Sequence, residues 1–172
     1  GLEASGEGAQ DYLPNVLNIK ADQLKVSDRM VNAVSATGTR RGDLWHLDVS
    51  ANELQGVIEV RPANGNTPAQ LYARLTHLVI PPSMVPDVEN LLSEQPSSIP
   101  TLDIVVEDLT LRGKKMGRLE IDAINRVGAK AAREWRLNKL NLQMQEATFT
   151  AHGNWMADGP RLRRTQLNFL LT

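Results

Sequence analysis

The chain has 172 residues, of which 41% are hydrophobic and 23% charged, a composition typical of folded domains that excludes wholesale disorder. It contains no cysteine and no run of 18 apolar residues, which excludes disulfides, thiolate chemistry and a membrane-spanning helix within this sequence. The net charge of −1 argues against a general nucleic-acid binder. The charge is uneven, with −8 over residues 1–108 and +7 over residues 109–172. Charges in turns and on solvated strand faces explain this asymmetry more simply than a surface for anionic headgroups or for an acidic partner does.

The first part of the chain is predicted to be a short lead-in followed by a β-rich unit. Residues 1–12 are rich in Gly, Glu, Ala and Ser, which favours a flexible segment. Over residues 13–80 apolar and polar positions alternate, as in Leu71-x-Ala73-x-Leu75. A period of two is typical of strands with one buried face, and the turn-forming pairs between them predict antiparallel meanders.

A proline-rich connector is predicted over residues 81–100. Between its prolines, apolar residues recur at helical spacing, and we expect a short helix over residues 86–95 because Pro86 suits a helix start and Pro96 ends it. A packed connector is favoured over a flap lying across the sheet.

Residues 101–172 are predicted to repeat the first unit, with the repeat incomplete at its C-terminus. Leu17-x-Ile19 and Leu24-x-Val26 are matched, with identical spacing, by Leu102-x-Ile104 and Leu109-x-Leu111. In both units the inward phase changes between the first and the second of these motifs, before Leu24 and Leu109, which predicts a bulge or a sharp bend. A Trp-x-Leu motif follows in both units, beginning at Trp45 and Trp135.

The second unit resembles the repeat of the YhdP-type AsmA-like proteins. The resemblance rests on Leu109-Thr110-Leu111-Arg112-Gly113, on Trp135-Arg136-Leu137, and on Ala147-Thr148-Phe149-Thr150-Ala151-His152-Gly153-Asn154-Trp155. It implies a mainly β fold, in which antiparallel β-meander repeats form a curved, groove-like sheet with one short helix between repeats. It also implies that this chain is an internal or C-terminal fragment of a longer protein.

The resemblance further implies a function. Such proteins are anchored in the inner membrane of Gram-negative bacteria and extend through the periplasm as lipid-transfer bridges. The expected partners are therefore phospholipid, neighbouring β-groove repeats of the same chain and envelope or outer-membrane components, with no cofactor. The alternative is a structural or partner-docking β module of the envelope without lipid in its own core. On alternation alone, a closed sandwich or barrel in which the same residues form an ordinary core is favoured. The resemblance to the repeat reverses that preference.

The expected lipid-binding residues are the apolar residues at inward strand phase. They are Leu17, Ile19, Leu47, Val49, Ile58, Val60, Leu71, Leu75, Leu102, Ile104, Leu119, Ile121, Leu137, Leu140, Leu142 and Phe149. The three tryptophans, Trp45, Trp135 and Trp155, are candidates for the rim of the groove, although plain structural packing explains them equally well.

Catalytic and metal-binding patterns are not found, and we expect no enzyme activity. The histidines lack metal-ligand spacing. Gly113-Lys114-Lys115 lacks the upstream glycine and following hydroxyl of a phosphate loop and fits a hairpin turn. The carboxylates between Asp103 and Asp122 could form a glycosidase pair, but outward strand positions beside Lys and Arg explain them more simply.

Overall fold

A computed structural model describes residues 15–26, 29–82, 99–127, 133–158 and 162–172. The predicted lead-in over residues 1–12 and the predicted helix over residues 86–95 lie outside the described residues. All regular elements of the described residues are strands. They are β1 (Val16–Val26), β2 (Arg29–Arg41), β3 (Leu44–Ser50), β4 (Leu54–Arg61), β5 (Gln70–Ile80), β6 (Thr101–Leu111), β7 (Lys114–Val127), β8 (Arg133–Gln143), β9 (Thr148–Asp158) and β10 (Leu162–Leu171).

The ten strands form a single open sheet in which each strand lies beside its neighbours in sequence, from β1 at one edge to β10 at the other. Every pairing is antiparallel except that of β5 with β6, which is parallel. The mainly antiparallel β prediction is confirmed, but the parallel junction was not anticipated. Parallel neighbours need a crossover of a dozen or more residues, and residues 81–100 provide that length.

The predicted changes of phase coincide with irregularities in the sheet. The β6–β7 register shifts between Val106 and Leu109, and Gly117 on β7 has a φ of +82°. In the first half, Ala33 on β2 has a φ of +51° where the apolar phase of β1 and β2 changes. The bulge between Val106 and Leu109 inserts an extra residue, which offsets the change of phase. The side chains of Val106 and Leu109 therefore pack in one cluster on the same face.

Part of the apolar face of this single-layer sheet is buried, as expected for a curved sheet. A flat single layer would leave that face in water, yet Val106 and Ala123 are fully buried at 0% exposure. Three clusters follow one another across the sheet, around Val34, around Val106 and around Ala123. Bulges increase local twist and bend the strands that carry them, which explains how one layer forms a curved, groove-like sheet.

The two halves of the sheet have five strands each and similar strand positions. β1 starts at Val16 and β6 at Thr101, and both strands are 11 residues long. β2 starts at Arg29 and β7 at Lys114, so the second strand of each half follows the first at the same interval. The division into units over residues 13–80 and 101–172 remains a prediction, because strand positions alone do not define folding units.

Candidate functional site

Two rows of apolar residues cross the whole sheet on one face. The Leu17 row takes one residue from each strand, namely Leu17, Gly38, Leu47, Ile58, Ala73, Ile104, Ile121, Leu140, Ala151 and Phe169. The Ile19 row lies beside it and consists of Ile19, Ala36, Val49, Gly56, Leu75, Val106, Leu119, Leu142, Phe149 and Leu171. Every position in both rows is apolar or glycine, so neither row is interrupted by a polar side chain.

A third row, the Trp45 row, lies on the other side of the Leu17 row. It consists of Trp45, Val60, Leu71, Leu102, Ala123, Leu137, Gly153 and Leu167 on strands β3 to β10. We call the surface formed by these three rows the apolar face. Its register continues unchanged across the parallel junction, where Ala73 lies opposite Ile104 and Leu75 opposite Val106.

All sixteen residues predicted from the sequence lie in these three rows. The structure therefore brings together positions from Leu17 at one edge to Phe149 near the other. Their location on one face follows from the strand register, whereas lipid binding by them remains a proposal. The residues assigned in the first half lie in the same rows as those assigned in the second half.

The sequence analysis missed two groups of residues on this face. Small residues such as Gly38 and Gly153 carry no hydrophobic signal, yet a Cβ on Gly38 would lie 2.6 Å from Leu47 Cδ2. Such positions let large neighbours fold over the sheet. The second group is Leu167, Phe169 and Leu171 on β10, whose alternation over five residues could have identified them.

The apolar face is only partly covered. Among the described residues, each strand packs extensively only against its immediate neighbours in the sheet, so no second layer lies on the face. Most of its large side chains are half-buried, including Ile58, Ile104 and Leu142. The described part of the chain thus differs from the closed structure that alternation alone favours.

The tryptophans lie towards one end of the strands. Trp135 and Trp155 face each other across β8 and β9, beyond the Trp45 row, which is a rim-like position. Trp135 is nevertheless buried, and its indole N–H donates a hydrogen bond to the carbonyl of Pro100 over 3.1 Å. The Arg40 guanidinium lies 5.8 Å from the Trp45 ring centroid. Trp135 therefore has a structural role, while Trp45 and Trp155 are half-buried and stay candidates for the rim.

The opposite face of the sheet carries ion pairs. Arg118 bridges Glu107 and Glu120, and Lys139 also contacts Glu120. Hydrogen bonds from Lys139 and Arg118 hold the pKa of Glu120 below its ordinary value. Asp103 pairs with Arg74 over 2.8 Å. These carboxylates are ion-paired on the outer face, as the simpler interpretation of the sequence predicts.

Glu134 carries a buried carboxylate on this outer face, and the carboxylate accepts hydrogen bonds from two arginines. Its carboxylate oxygens lie 2.7 Å from Arg126 Nη2 and 2.9 Å from Arg136 Nη2. Burial by itself would raise the pKa of Glu134, but the hydrogen bonds from Arg126 and Arg136 outweigh it and the pKa lies below the usual range. The pair of arginines thus keeps the carboxylate ionised and fixes the start of β8.

One comparison with known proteins gives a match. The model of the YhdP protein family matches residues 2–172, which is nearly the whole chain. The chain belongs to the YhdP family. The resemblance noted in the sequence is confirmed, and it covers the first half as well as the second. No curated protein and no solved structure matches the chain.

Membership of the YhdP family suggests a role in lipid transport within the cell envelope, without enzymatic chemistry. Two further observations concern the described residues alone. No helix among them is long and apolar enough to cross a bilayer. Nor do they contain a group of three histidine and carboxylate side chains placed to hold a metal ion. His46 instead lies 2.9 Å from a Glu59 carboxylate oxygen on the outer face.

Proposed function

We propose that this chain is a segment of a lipid-transfer bridge in the periplasm, part of a protein anchored in the inner membrane. Its apolar face shields phospholipid acyl chains as they move between the inner and outer membranes. The observation that supports this proposal is the continuity of the Leu17 and Ile19 rows from β1 to β10. A face that stores a ligand ends within the protein, whereas a conduit has to continue from one edge to the other.

The dimensions of the apolar face suit acyl chains. Neighbouring strands lie about 4.8 Å apart, so the two full rows extend about 43 Å across ten strands. Alternate residues on a strand are about 7 Å apart, so three rows give a width of about 14 Å. One leaflet of a bilayer has a hydrocarbon thickness of about 15 Å. The face therefore accommodates an extended acyl chain with apolar surface to spare in the direction of the rows.

The free energy of burial is large enough to hold an acyl chain on the apolar face and uniform enough to let the chain move along it. Each methylene removed from water contributes about 0.8 kcal/mol, so a chain of about 16 carbons gains on the order of 10 kcal/mol before entropic costs. That gain is similar at every point along a uniform apolar surface, because it depends on buried area and not on direction. The charged groups that would hold a lipid at one place, such as Glu120 and Arg118, lie on the other face.

Two isoleucines on β7 provide a matched test. Ile121 belongs to the Leu17 row, whereas Ile124 lies opposite Arg136 on the outer face, and both are half-buried. We expect Ile121→Glu to weaken binding of a phospholipid with a fluorescent acyl chain at least tenfold, because the carboxylate would lose hydration beside the chain. Ile124→Glu should change the dissociation constant by less than about twofold, about 0.4 kcal/mol.

Chemical denaturation of both variants provides the control for folding. Equal loss of lipid binding in the two variants, at equal stability, would contradict the proposal. So would full binding by folded Ile121→Glu.

A further inference from the structure

The apolar face borders on different side chains at its two ends along the strands. Beyond the Ile19 row it continues with aliphatic side chains such as Leu78 and Leu109. Beyond the Trp45 row, strand β8 continues from Leu137 through Trp135 to Arg133. These three residues share one face, because alternate residues of a strand point to the same side of the sheet. This border of the face thus changes from apolar to aromatic to cationic.

The guanidinium of Arg133 is partly withdrawn from water without a counter-ion among the described residues. Arg133 is half-buried, and its Nη1 nitrogen is shielded from solvent and has no hydrogen-bond partner there. The nearby Arg126 and Arg136 differ, because both bind the Glu134 carboxylate on the outer face. A shielded cationic N–H without an acceptor is unfavourable, so this position favours a ligand that brings an anion.

The corresponding position in the first half of the sheet carries the opposite charge. Trp45 and Trp135 begin the matched Trp-x-Leu motifs, and two positions before them stand Asp43 and Arg133. The Asp43 carboxylate lies 3.3 Å from Arg61 Nε, so the first half neutralises its charge internally. An arginine without a counter-ion is therefore not a requirement of the fold at this position, which points to a role outside packing.

Other polar side chains at this border are already used inside the protein. The indole N–H of Trp135 donates to the carbonyl of Pro100, and the side-chain amide of Asn125 donates to the carbonyl of Ile99 over 2.6 Å. Both hydrogen bonds fix the chain before β6 against β7 and β8. Arg133 is therefore better placed than Trp135 or Asn125 to bind a ligand.

We propose that Arg133 binds the phosphate group of the phospholipid whose acyl chains lie on the apolar face. This inference rests on the proposed function, and it gives the lipid an orientation, with the phosphate beyond the Trp45 row and the acyl chains across the three rows. A guanidinium suits a phosphate because its fork of N–H donors can bind two oxygens at once.

The order of side chains along β8 supports this orientation. Leu137, Trp135 and Arg133 follow one another as hydrocarbon, interface and phosphate do in a lipid layer, where tryptophan is enriched at the interface. Four residues of a strand span about 13 Å, which separates Arg133 from the Trp45 row. The arginine thus adds one preferred position for the phosphate, at the border of a surface on which burial of the acyl chain is uniform.

Two lipids with the same acyl chains separate the phosphate contact from burial of the chains. The whole protein chain is titrated with phosphatidylglycerol and with diacylglycerol, each with the same fluorescent acyl chain and in neutral detergent micelles. Arg133→Gln should weaken binding of phosphatidylglycerol at least fivefold and binding of diacylglycerol less than twofold. Arg41→Gln is the matched control, because it removes the same charge from an exposed outer-face residue at the same end of the strands. It should change neither dissociation constant by more than twofold.

The possible results distinguish this inference from the proposed function. An equal loss of both lipids in Arg133→Gln, or unchanged binding of phosphatidylglycerol, would overturn the phosphate contact and leave the apolar face as the lipid site. Binding of neither lipid by the unmodified chain would overturn the proposed function together with the phosphate contact. Urea denaturation of Arg133→Gln and Arg41→Gln shows whether both variants are folded.

Inorganic phosphate is the other source of the same chemistry, and it is titrated separately. The readout is the NMR signal of the Arg133 Nε–H group, assigned by its loss in Arg133→Gln. A response of this signal to inorganic phosphate, with no preference of the chain for phosphatidylglycerol over diacylglycerol, would assign the site to free phosphate and overturn the headgroup contact. A response to phosphatidylglycerol that diacylglycerol does not cause would support it.

Discussion

Strand β6 in the interior of the sheet and strand β1 at its edge have similar sequences, but their corresponding side chains differ in how far they are buried. Leu109 on β6 is buried, whereas Leu24, its counterpart on β1, is half-buried. Val106 is fully buried, and its counterpart Ala21 is half-buried. The difference lies in the neighbouring strands, since among the described residues β6 is paired on both sides and β1 on one. Strand pairing, and not only residue type, therefore determines how much of the apolar face is hidden from water.

Truncation of these two leucines should destabilise the protein to very different extents. Leu109→Ala should lower the free energy of unfolding by about 2–5 kcal/mol, because it removes a buried side chain from a packed cluster. Leu24→Ala should cost less than half as much as Leu109→Ala, since Leu24 is already partly exposed. Urea denaturation of both variants checks the comparison. Equal costs would mean that β1 is as well packed as β6.

Gly117 and Gly113 give a second comparison, between the interior and a peripheral turn. Both have positive φ, but a Cβ on Gly117 would lie 2.0 Å from the Gln143 carbonyl oxygen, whereas a Cβ on Gly113 meets nothing within 4 Å. Gly117→Ala should therefore cost about 2–4 kcal/mol, from backbone strain and overpacking together, and Gly113→Ala about 1 kcal/mol from its conformation alone. Thermal unfolding of the two variants measures the difference. A Gly117→Ala protein as stable as Gly113→Ala would show that β7 and β8 separate easily.

The buried carboxylate of Glu134 should make stability depend on pH. Because its pKa is lower in the folded chain than the ordinary value of 4.5, its contribution is present above about pH 4.5 and is lost as the pH falls through the folded pKa. Glu134→Gln should lower the free energy of unfolding by about 1–2 kcal/mol at pH 7, since it weakens hydrogen bonds to charged arginines. The difference between the two proteins should shrink towards pH 3. A constant difference across that range, measured by urea denaturation, would contradict this origin.

An ion pair across the parallel junction should contribute little to stability. Arg74 on β5 and Asp103 on β6 pair over 2.8 Å, and both side chains are substantially exposed. A double-mutant cycle with Arg74→Ala and Asp103→Ala should give a coupling of about 0.2–1 kcal/mol, which decreases in high salt. A coupling well above this range that is insensitive to salt would show that this pair, and not apolar burial, holds the two halves together.

The sequence predicts the strands and their apolar face better than it predicts their connections. Alternation identifies the inward positions from Leu17 to Phe149 because the period of a strand is local information. The changes of the inward phase near Val106 and Ala21 can also be identified from neighbouring residues in the sequence. The parallel pairing of β5 with β6 depends on the side of the sheet edge at which the connector over residues 81–100 brings the chain back. No short sequence pattern predicts that position. Structural packing of Trp135 is one of two interpretations that the sequence leaves open, but its hydrogen-bond acceptor Pro100 lies 35 positions away, and no local pattern identifies that partner.

Photo-crosslinking distinguishes an apolar face that contacts lipid from one that does not. A benzophenone side chain is placed at Ile104, Leu137 or Phe149 on the apolar face, and at Asp103, Arg136 or Thr148 on the outer face, one position per variant. Each folded variant is illuminated with phospholipid vesicles and examined by mass spectrometry. We expect covalent phospholipid adducts at the first three positions and none, or at most about a tenth as many, at the other three. Equal adducts on both faces, or none at all, would contradict the proposal that this face binds lipid.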